Sequence, residues 1–316
     1  MTKTYRQKQK SHNKKRTIKR TNVNSLSKMN CNPAVKGKSP IRDSCLTPEV
    51  LIQLKQYYNL SHPSQPIKYN NPAKIWVSLK RKLNKCDKED CWLDLIKDAN
   101  VRKSLDKELF APDHPSSWKK DPNTWLTNYD IYNVLHQYES KYPEFCVIRP
   151  SAIDFDDKIG GTESDMCVTE DLCKFDLVHH INKGKTKFGI VFNLDKHDEP
   201  GSHWVSLFID INDEYAFYMD SVGDPVPREI QKFVDRVIEQ ALQTNKNMKF
   251  YENSPMQHQT GDTECGVYSL YFIITMLTGE TDQNTFNTAQ DKISFFKNKR
   301  IPDKYISKFR KIYFNT

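Results

Sequence analysis

Cys265, late in the sequence, has neighbours that are typical of a catalytic nucleophile. Cys265 and Gly266 precede the nearly continuous apolar segment 267–278, a pattern typical of a buried helix. Helix N-termini carry partial positive charge and free N–H groups, which favour a thiolate and a neighbouring oxyanion site. Cys265 is therefore a candidate nucleophile, and the alternative interpretation is an unreactive core cysteine.

A histidine and an aspartate occupy the ends of two adjacent apolar runs. His203 heads the run 203–211, and Asp220 follows the run 215–219, with a short polar turn between the runs. Such a pattern predicts an antiparallel hairpin, which would place Asp220 beside Ser206 and, with strand twist, towards His203. Taken separately, a histidine at a strand end and an aspartate in a turn are both common in surface positions.

These residues together predict a catalytic triad. Asp220 would accept a hydrogen bond from one ring nitrogen of His203 and leave the other nitrogen facing Cys265. Gln259 lies six residues before Cys265, where its side-chain amide could stabilise an oxyanion beside the Cys265 N–H. An ordinary polar loop residue is the alternative interpretation of Gln259.

Helical and strand patterns alternate around these residues. Thr47 and Pro48 are typical of a helix start, and Gly279 would end the helix that follows Cys265. Apolar periodicity predicts the following elements: helices over 73–84, 125–139, 227–242, 267–278 and 303–314, and strands over 188–194, 203–211 and 215–219. The expected fold class is therefore α+β, with helices flanking a small central mixed sheet.

Charge is unevenly distributed along the 316 residues. Residues 1–40 hold 12 of the 48 Lys and Arg residues and no Asp or Glu, which leaves 36 basic and 40 acidic side chains in the remainder. We therefore expect a disordered basic tail at 1–40, which either contacts nucleic acid or serves only as a solubility arm. A helical arm domain is expected at 41–120, and a catalytic domain at 121–316.

Cysteine content and the N-terminal residues bear on compartment. Eight cysteines in a chain without an apolar signal segment predict reduced thiols and a protein that is not secreted. The spacings Cys86-x4-Cys91 and Cys167-x5-Cys173 do not suit zinc, so we expect no metal site. No glycine-rich phosphate loop is present, and no cofactor is expected.

The order of the candidate residues resembles that of the SUMO or ubiquitin-like-protein-specific proteases and of the adenovirus proteinase. His followed by Trp, Asp seventeen residues later, and Gln six residues before Cys match that pattern, whereas papain-like enzymes place Cys first. The residues that carry the resemblance are His203-Trp204, Asp220, Gln259, Cys265-Gly266 and Trp125-Leu126, the last opening a helix. The resemblance covers about 125–280 and implies a papain-like or adenain-like cysteine protease core.

A narrower resemblance is to the polyprotein-processing thiol proteases of large cytoplasmic DNA viruses, of asfarvirus and mimivirus type, which carry a helical arm domain before the core. Glu264 is similar to this viral group, because SUMO proteases usually place Asp before the Cys. The segments concerned are Asp43-Ser44-Cys45-Leu46, Cys86 to Cys91, FGIVFNLDKHDEPGSHWVSLFID and QHQTGDTECGVYS.

These resemblances imply a cysteine endopeptidase that cleaves after Gly-Gly in viral structural polyprotein precursors through a thioester. Trp125 and Trp204 would form a flat slot that admits only Gly-Gly. The alternatives are an isopeptidase that removes a SUMO-like modifier and a catalytically inactive, basic-tailed binding protein. The expected location is the host cytoplasm, at the viral factory, and the virion, and the expected state is a monomer acting on a protein substrate.

Overall fold

A computed structural model describes residues 26–160 and 166–315. Its helices are α1 (Pro48–Ser61), α2 (Pro72–Lys82), α3 (Ala99–Leu109), α4 (Asn128–Glu139), α5 (Glu170–Cys173), α6 (Leu177–Asn182), α7 (Arg228–Leu242), α8 (Cys265–Thr278), α9 (Ala289–Asn298), α10 (Asp303–Ile306) and α11 (Arg310–Tyr313). Its strands are β1 (Phe145–Val147), β2 (Ser151–Ala152), β3 (Lys187–Asn193), β4 (Trp204–Asp210), β5 (Tyr215–Met219) and β6 (Lys249–Glu252). Three short 3₁₀ segments complete the regular structure, at Asp90–Leu95, Ser116–Lys119 and Ser307–Phe309.

Local sequence signals explain where the main helices begin and end. The Thr47 side chain accepts a hydrogen bond from the Val50 N–H, so that it caps α1 as predicted. Thr127 and Asp130 form a reciprocal capping box at the start of α4. Gly279 ends α8 with a φ of 70°, a left-handed conformation that favours glycine.

The sheet is mixed and has the order β1-β3-β4-β5-β6, with β2 also paired to β3. The strands β3, β4 and β5 are antiparallel neighbours, whereas β1, β2 and β6 pair in parallel. Side chains alternate between two apolar layers. Val191, Phe208 and Phe217 pack on the side of α8, while their neighbours in the chain face α7.

The helix that begins at Cys265 lies against the centre of this sheet. Every residue of α8 except the last, Thr278, is buried, as its continuous apolar sequence predicts. Gly189 of β3 permits the close approach, because a Cβ atom there would lie 2.8 Å from Ile273 Cγ2 and 2.9 Å from Phe145 Cζ. The small residue therefore allows α8 to pack closely on the sheet at Ile273.

The N-terminal helices form an apolar cluster of their own. Residues from α1, α2 and the 3₁₀ segment after them surround Trp92, which is fully buried. Order begins earlier than predicted, because Met29 and Asn32 are already buried. The prediction of a disordered tail over the whole of 1–40 is therefore wrong for 26–40, and 1–25 lie outside the described residues.

Asn315, the second-to-last residue of the chain, joins the N-terminal region to the rest of the fold. Its side-chain Oδ1 accepts from the Asn30 N–H at 2.7 Å, and its Nδ2 donates to the Asn30 carbonyl at 3.1 Å and the Ala111 carbonyl at 2.9 Å. The Asn315 N–H also donates to the Pro112 carbonyl at 2.8 Å. The predicted boundary between an arm domain and a catalytic domain near residue 120 stays a prediction.

The expectation of reduced thiols is wrong for six cysteines. These cysteines form three pairs whose Cα atoms lie 5.2 to 6.3 Å apart, within the range of a disulfide. Sequence spacing and overall cysteine density do not reveal which cysteines lie close together in the fold. The disulfides are Cys31–Cys45, Cys86–Cys91 and Cys167–Cys173, and the free thiols are Cys146 and Cys265.

The predicted α+β architecture with a central mixed sheet is confirmed. One predicted helix was wrong in its extent, and three strands were missed. The expected helix over 303–314 is divided into α10, a 3₁₀ turn and α11, and the strands β1, β2 and β6 were not foreseen because each has four residues or fewer. Among the described residues, no helix has the length and apolarity needed to span a bilayer.

Candidate active site

The hairpin of β4 and β5 brings His203 and Asp220 together. Ser206 pairs with Met219, so Asp220 falls opposite Val205, one position from the predicted register. His203 lies just before β4 and Asp220 just after β5, at the same edge of the sheet. The distance between His203 Nε2 and Asp220 Oδ1 is 2.7 Å.

Asp220 is completely buried and is held by its neighbours. The Val222 N–H donates to the same carboxylate oxygen that contacts His203, at 2.9 Å. The Oδ1 of Asn253 accepts a hydrogen bond from the Asp220 N–H at 2.8 Å, and its Nδ2 donates to the Asp220 carbonyl at 2.7 Å. Asn253 was missed by the sequence analysis, because a single asparagine after a short, partly exposed strand carries no distinctive signal. Its two hydrogen bonds fix the backbone from which the carboxylate projects.

The thiol of Cys265 lies beside the imidazole. Cys265 is the first residue of α8, is 2% exposed, and lies near enough to His203 to contribute to the raised pKa of the imidazole. Asp220 occupies Nε2, which leaves Nδ1 as the ring nitrogen available to the thiol. The structure therefore brings His203 and Asp220 into contact and places Cys265 nearby, and the catalytic triad stays a prediction.

The pKa of His203 reflects these contacts. Burial alone lowers this pKa, but the hydrogen bonds to Asp220 and Cys265 and the negative charge of both groups raise it to about 9. The imidazole is therefore protonated at neutral pH. A protonated imidazole beside the sulfur favours the thiolate form of a nucleophile.

Gly266 explains why a glycine follows the cysteine. A Cβ atom at this position would lie 3.2 Å from Leu126 Cβ and 3.4 Å from Trp204 Cδ1. A side chain would be in tight contact with Leu126, which would have to shift by a few tenths of an ångström, and in ordinary van der Waals contact with Trp204. The small residue therefore lets the segment that carries Trp125 and the strand that carries Trp204 close around the nucleophile.

Gln259 is buried near the triad. Its backbone N–H donates to the Ser221 carbonyl at 2.7 Å, and its Oε1 accepts from the Ser221 hydroxyl at 2.7 Å, which ties it to the residue after Asp220. Its Nε2 donates one hydrogen to the Gly261 carbonyl at 2.7 Å, and an amide nitrogen carries a second. The oxyanion role of Gln259 stays a prediction.

The two tryptophans differ in exposure. Trp204 is 8% exposed and donates its indole N–H to the Leu126 carbonyl at 3.0 Å, whereas Trp125 is 38% exposed. Trp204 therefore has little surface left for a substrate and supports the Trp125 segment from beneath. The prediction that both indoles wall a substrate slot stays a prediction, with Trp125 as the accessible wall.

Side chains that could bind a metal ion are not clustered in the described part of the chain. Among residues 26–160 and 166–315, no group of three or more His, Cys, Asp or Glu side chains is arranged to hold a metal ion. The cysteine pairs with unsuitable zinc spacing, Cys86–Cys91 and Cys167–Cys173, are disulfides.

The sequence of this region matches a known family. Residues 190–314 match the sequence model described as the Ulp1 protease family, C-terminal catalytic domain. This segment is similar in sequence to the catalytic domains of the cysteine peptidases in that family. The predictions of a cysteine-type peptidase and of the SUMO-protease resemblance are thereby confirmed.

Individual relatives are proteases of large DNA viruses. The chain is 32% identical over 169 residues to a thiol protease of Acanthamoeba polyphaga mimivirus, a match that covers 52% of each protein. It is 28% identical over 239 residues to a cysteine protease of African swine fever virus, covering 71% of this chain and 81% of the relative. The match thus spans only about half the length of the mimivirus relative.

A solved structure shows the same fold. The crystal structure of an African swine fever virus protease superposes with a TM-score of 0.61 and 24% identity, covering 92% of this chain and 97% of the other. The likeness therefore extends through the N-terminal helices as well as the protease core.

The raised pKa of His203 predicts a pH-dependent contribution to stability. The folded-state value of about 9 lies above the ordinary 6.5, so the contribution is fully present below about pH 6.5 and is lost as pH rises through about 9. We expect urea unfolding at several pH values to give a difference in unfolding free energy between wild type and His203→Gln that is roughly 3 kcal/mol smaller at the alkaline end. A difference in unfolding free energy that stays constant over this range would contradict the assigned contacts.

Proposed function

We propose that the protein is a cysteine endopeptidase that matures viral structural polyprotein precursors by cleavage after Gly-Gly. The observation that carries this proposal is the hydrogen bond between the Asp220 carboxylate and the His203 ring, together with the position of Cys265 near that ring at the start of α8. The membership of 190–314 in a peptidase family and the viral origin of the relatives support it.

The proposed reaction follows from the protonation state of the site. With the proton held on His203, the Cys265 thiolate attacks the substrate carbonyl and forms a tetrahedral oxyanion. The Cys265 N–H and Gln259 stabilise this oxyanion, and loss of one such donor typically costs about 3–4 kcal/mol. His203 then protonates the leaving amine, and water hydrolyses the remaining thioester with His203 as the base.

Asp220 has two tasks in this scheme. It orients the imidazole through Nε2, so that Nδ1 stays directed at the sulfur, and its negative charge stabilises the imidazolium. Complete burial strengthens both effects, because few solvent dipoles compete for the carboxylate.

The proposed specificity rests on the neighbourhood of Trp125. The partly exposed indole stands next to Leu126, which contacts both Trp204 and the Gly266 position. A substrate strand that runs between Trp125 and the nucleophile would have to be narrow, which favours glycines before the scissile bond.

A second candidate is an isopeptidase that removes a ubiquitin-like modifier. It shares the same chemistry, and one African swine fever virus relative, 27% identical over 239 residues, carries the name SUMO-1 cysteine protease. Glu264 is the sequence feature that favours the viral endopeptidase, since the SUMO proteases usually have Asp there. The hydrogen bond between His203 and Asp220, with Cys265 nearby, argues against an inactive binding protein.

The proposed setting is the host cytoplasm at the site of virus assembly, and the virion, with the chain acting as a monomer. The basic residues 1–25, which include nine Lys or Arg and no acidic residue, would supply contact with nucleic acid there.

Removal of the nucleophile or of the base should abolish cleavage. We expect Cys265→Ala and His203→Ala to reduce hydrolysis of a Gly-Gly-X peptide to background without unfolding the protein. Cys146→Ser is the matched control, because Cys146 is the other free thiol and burial raises its pKa to about 11. Chromatographic product analysis and circular dichroism measure the two effects. Full activity in Cys265→Ala would exclude the proposed mechanism.

Substrate competition separates the two candidates. The enzyme is incubated with a viral structural precursor that contains Gly-Gly-X and, separately, with a SUMO-like conjugate joined through an isopeptide bond. We expect a kcat/KM for the precursor at least about tenfold higher, a difference of about 1.4 kcal/mol in transition-state binding. Faster processing of the conjugate would establish the isopeptidase instead.

Deletion of 1–25 should separate catalysis from nucleic-acid binding. We expect unchanged hydrolysis of a short peptide, together with weaker, less salt-dependent binding to double-stranded DNA in a fluorescence titration. Residues 26–40 are kept, because Asn30 contacts Asn315 and Cys31 is in a disulfide. Unchanged DNA binding would leave the tail as a solubility arm only.

A further inference from the structure

The guanidinium of Arg310, in the C-terminal segment, forms hydrogen bonds with two parts of the site. Arg310 begins α11, and its Nε donates to both carboxylate oxygens of Glu264, at 2.9 and 3.2 Å. Its Nη2 donates to the Thr263 carbonyl at 2.6 Å. Glu264 and Thr263 immediately precede Cys265, so this half of the guanidinium holds the residues that lead into the nucleophile.

The other half of the guanidinium holds the approach to Trp125. The Nη1 donates to the Pro122 and Thr124 carbonyls, at 3.2 and 2.9 Å, and the Nη2 also donates to the Asn123 carbonyl at 3.4 Å. All five N–H groups of Arg310 therefore have acceptors. The residue directly after Thr124 is Trp125, the accessible wall of the proposed slot.

Trp118 completes this arrangement. The Arg310 guanidinium carbon lies 4.7 Å from the centre of the Trp118 ring, and the indole N–H donates to the Thr124 carbonyl at 2.8 Å. The aromatic face and the carbonyl contacts fix the plane of the guanidinium as well as its position. Both Arg310 and Trp118 thus form hydrogen bonds with the residues just before Trp125.

The burial of the ion pair indicates a geometric role. The side chains of Arg310 and Glu264 are each only 7% exposed. A buried ion pair adds little stability over a well-packed apolar pair, because both charges lose their hydration, whereas it constrains the groups that it contacts. Lysine would keep the charge, but a single ammonium group cannot reach carbonyls on both sides in one plane.

We propose that Arg310 is a positioning residue that sets the separation between Trp125 and Cys265, and thereby the binding of the substrate residues before the scissile bond. This inference rests on the proposed peptidase function of Cys265. Arg310 itself contacts neither thiol nor imidazole, and acts through Glu264 on one side and residues 122–124 on the other.

The test compares peptide hydrolysis with direct alkylation of the thiol. Arg310→Lys keeps a positive charge beside Glu264 but loses the planar contacts to 122–124. We expect KM for a Gly-Gly-X peptide to rise roughly tenfold or more. The rate of Cys265 alkylation by iodoacetamide, which needs no slot, should stay within about threefold of wild type because the triad is untouched.

Two further variants complete the design. Trp118→Phe keeps the aromatic face but removes the hydrogen bond to Thr124, and it should raise KM in the same direction by a smaller factor. Lys311→Ala is the matched control, since the exposed side chain of Lys311 lies next to Arg310 on the same helix. It should leave KM, kcat and alkylation unchanged.

Each result has a distinct meaning. If Arg310→Lys slows alkylation and hydrolysis in proportion, or changes neither, the positioning role is wrong. If Arg310→Lys does not fold, the KM of Trp118→Phe decides, and an unchanged value overturns the inference. If wild type itself neither hydrolyses the peptide nor reacts at Cys265, the proposed function fails, independently of the role of Arg310.

Discussion

The buried hydrogen bond between Asp220 and His203 is the interaction on which the site depends. A carboxylate with no exposed surface is costly unless hydrogen bonds compensate for it, and here the Val222 N–H and the His203 ring both contact Oδ1, whereas the buried Oδ2 has no hydrogen-bond partner among the described residues. The same bond raises the pKa of His203, selects its orientation and leaves Nδ1 for the sulfur. The antiparallel pairing of β4 with β5 is what makes this bond possible, since it brings two residues seventeen positions apart to one edge of the sheet.

The start of α8 is positioned from several directions at once. Leu126 and Trp204 pack against Gly266, and Arg310 holds Thr263 and Glu264, the two residues before Cys265. Asp303 adds a further contact, accepting from the Thr260 and Gly261 N–H groups at 3.0 and 2.9 Å. The last fifteen described residues therefore contact both the nucleophile loop and, through Asn315, the N-terminal helices.

Much of this arrangement could be predicted from local patterns. The long apolar segment after Cys265, the alternating runs around His203 and Asp220, and the cap at Thr47 each express a periodicity or a capping preference that neighbouring residues determine. The hairpin was predicted to within one position, because a short polar turn leaves few ways to pair two strands. The contact between His203 and Asp220 follows from that hairpin, and the position of Cys265 follows from the helix start.

Other features depend on contacts between distant segments, and no local pattern encodes them. Asn253, Arg310 and the disulfide Cys31–Cys45 belong to this class, as does the early onset of order at Met29, whose burial requires the N-terminal helices. The burial of Trp204 has the same origin, because β4 lies between two apolar layers. A tryptophan beside a histidine suggests a substrate contact, but only the packing shows that the indole faces Leu126.

The most direct test of a nucleophilic Cys265 is intact-protein mass spectrometry after reaction with a peptide electrophile that ends in a Gly-Gly vinyl group. One adduct per chain is expected, mapped by proteolysis to Cys265, and its rate of formation should fall by at least about tenfold in Asp220→Asn, because the imidazolium beside the sulfur loses its charged partner. Absence of an adduct in a folded sample, or an adduct at Cys146 alone, would contradict the assignment of Cys265 as the nucleophile.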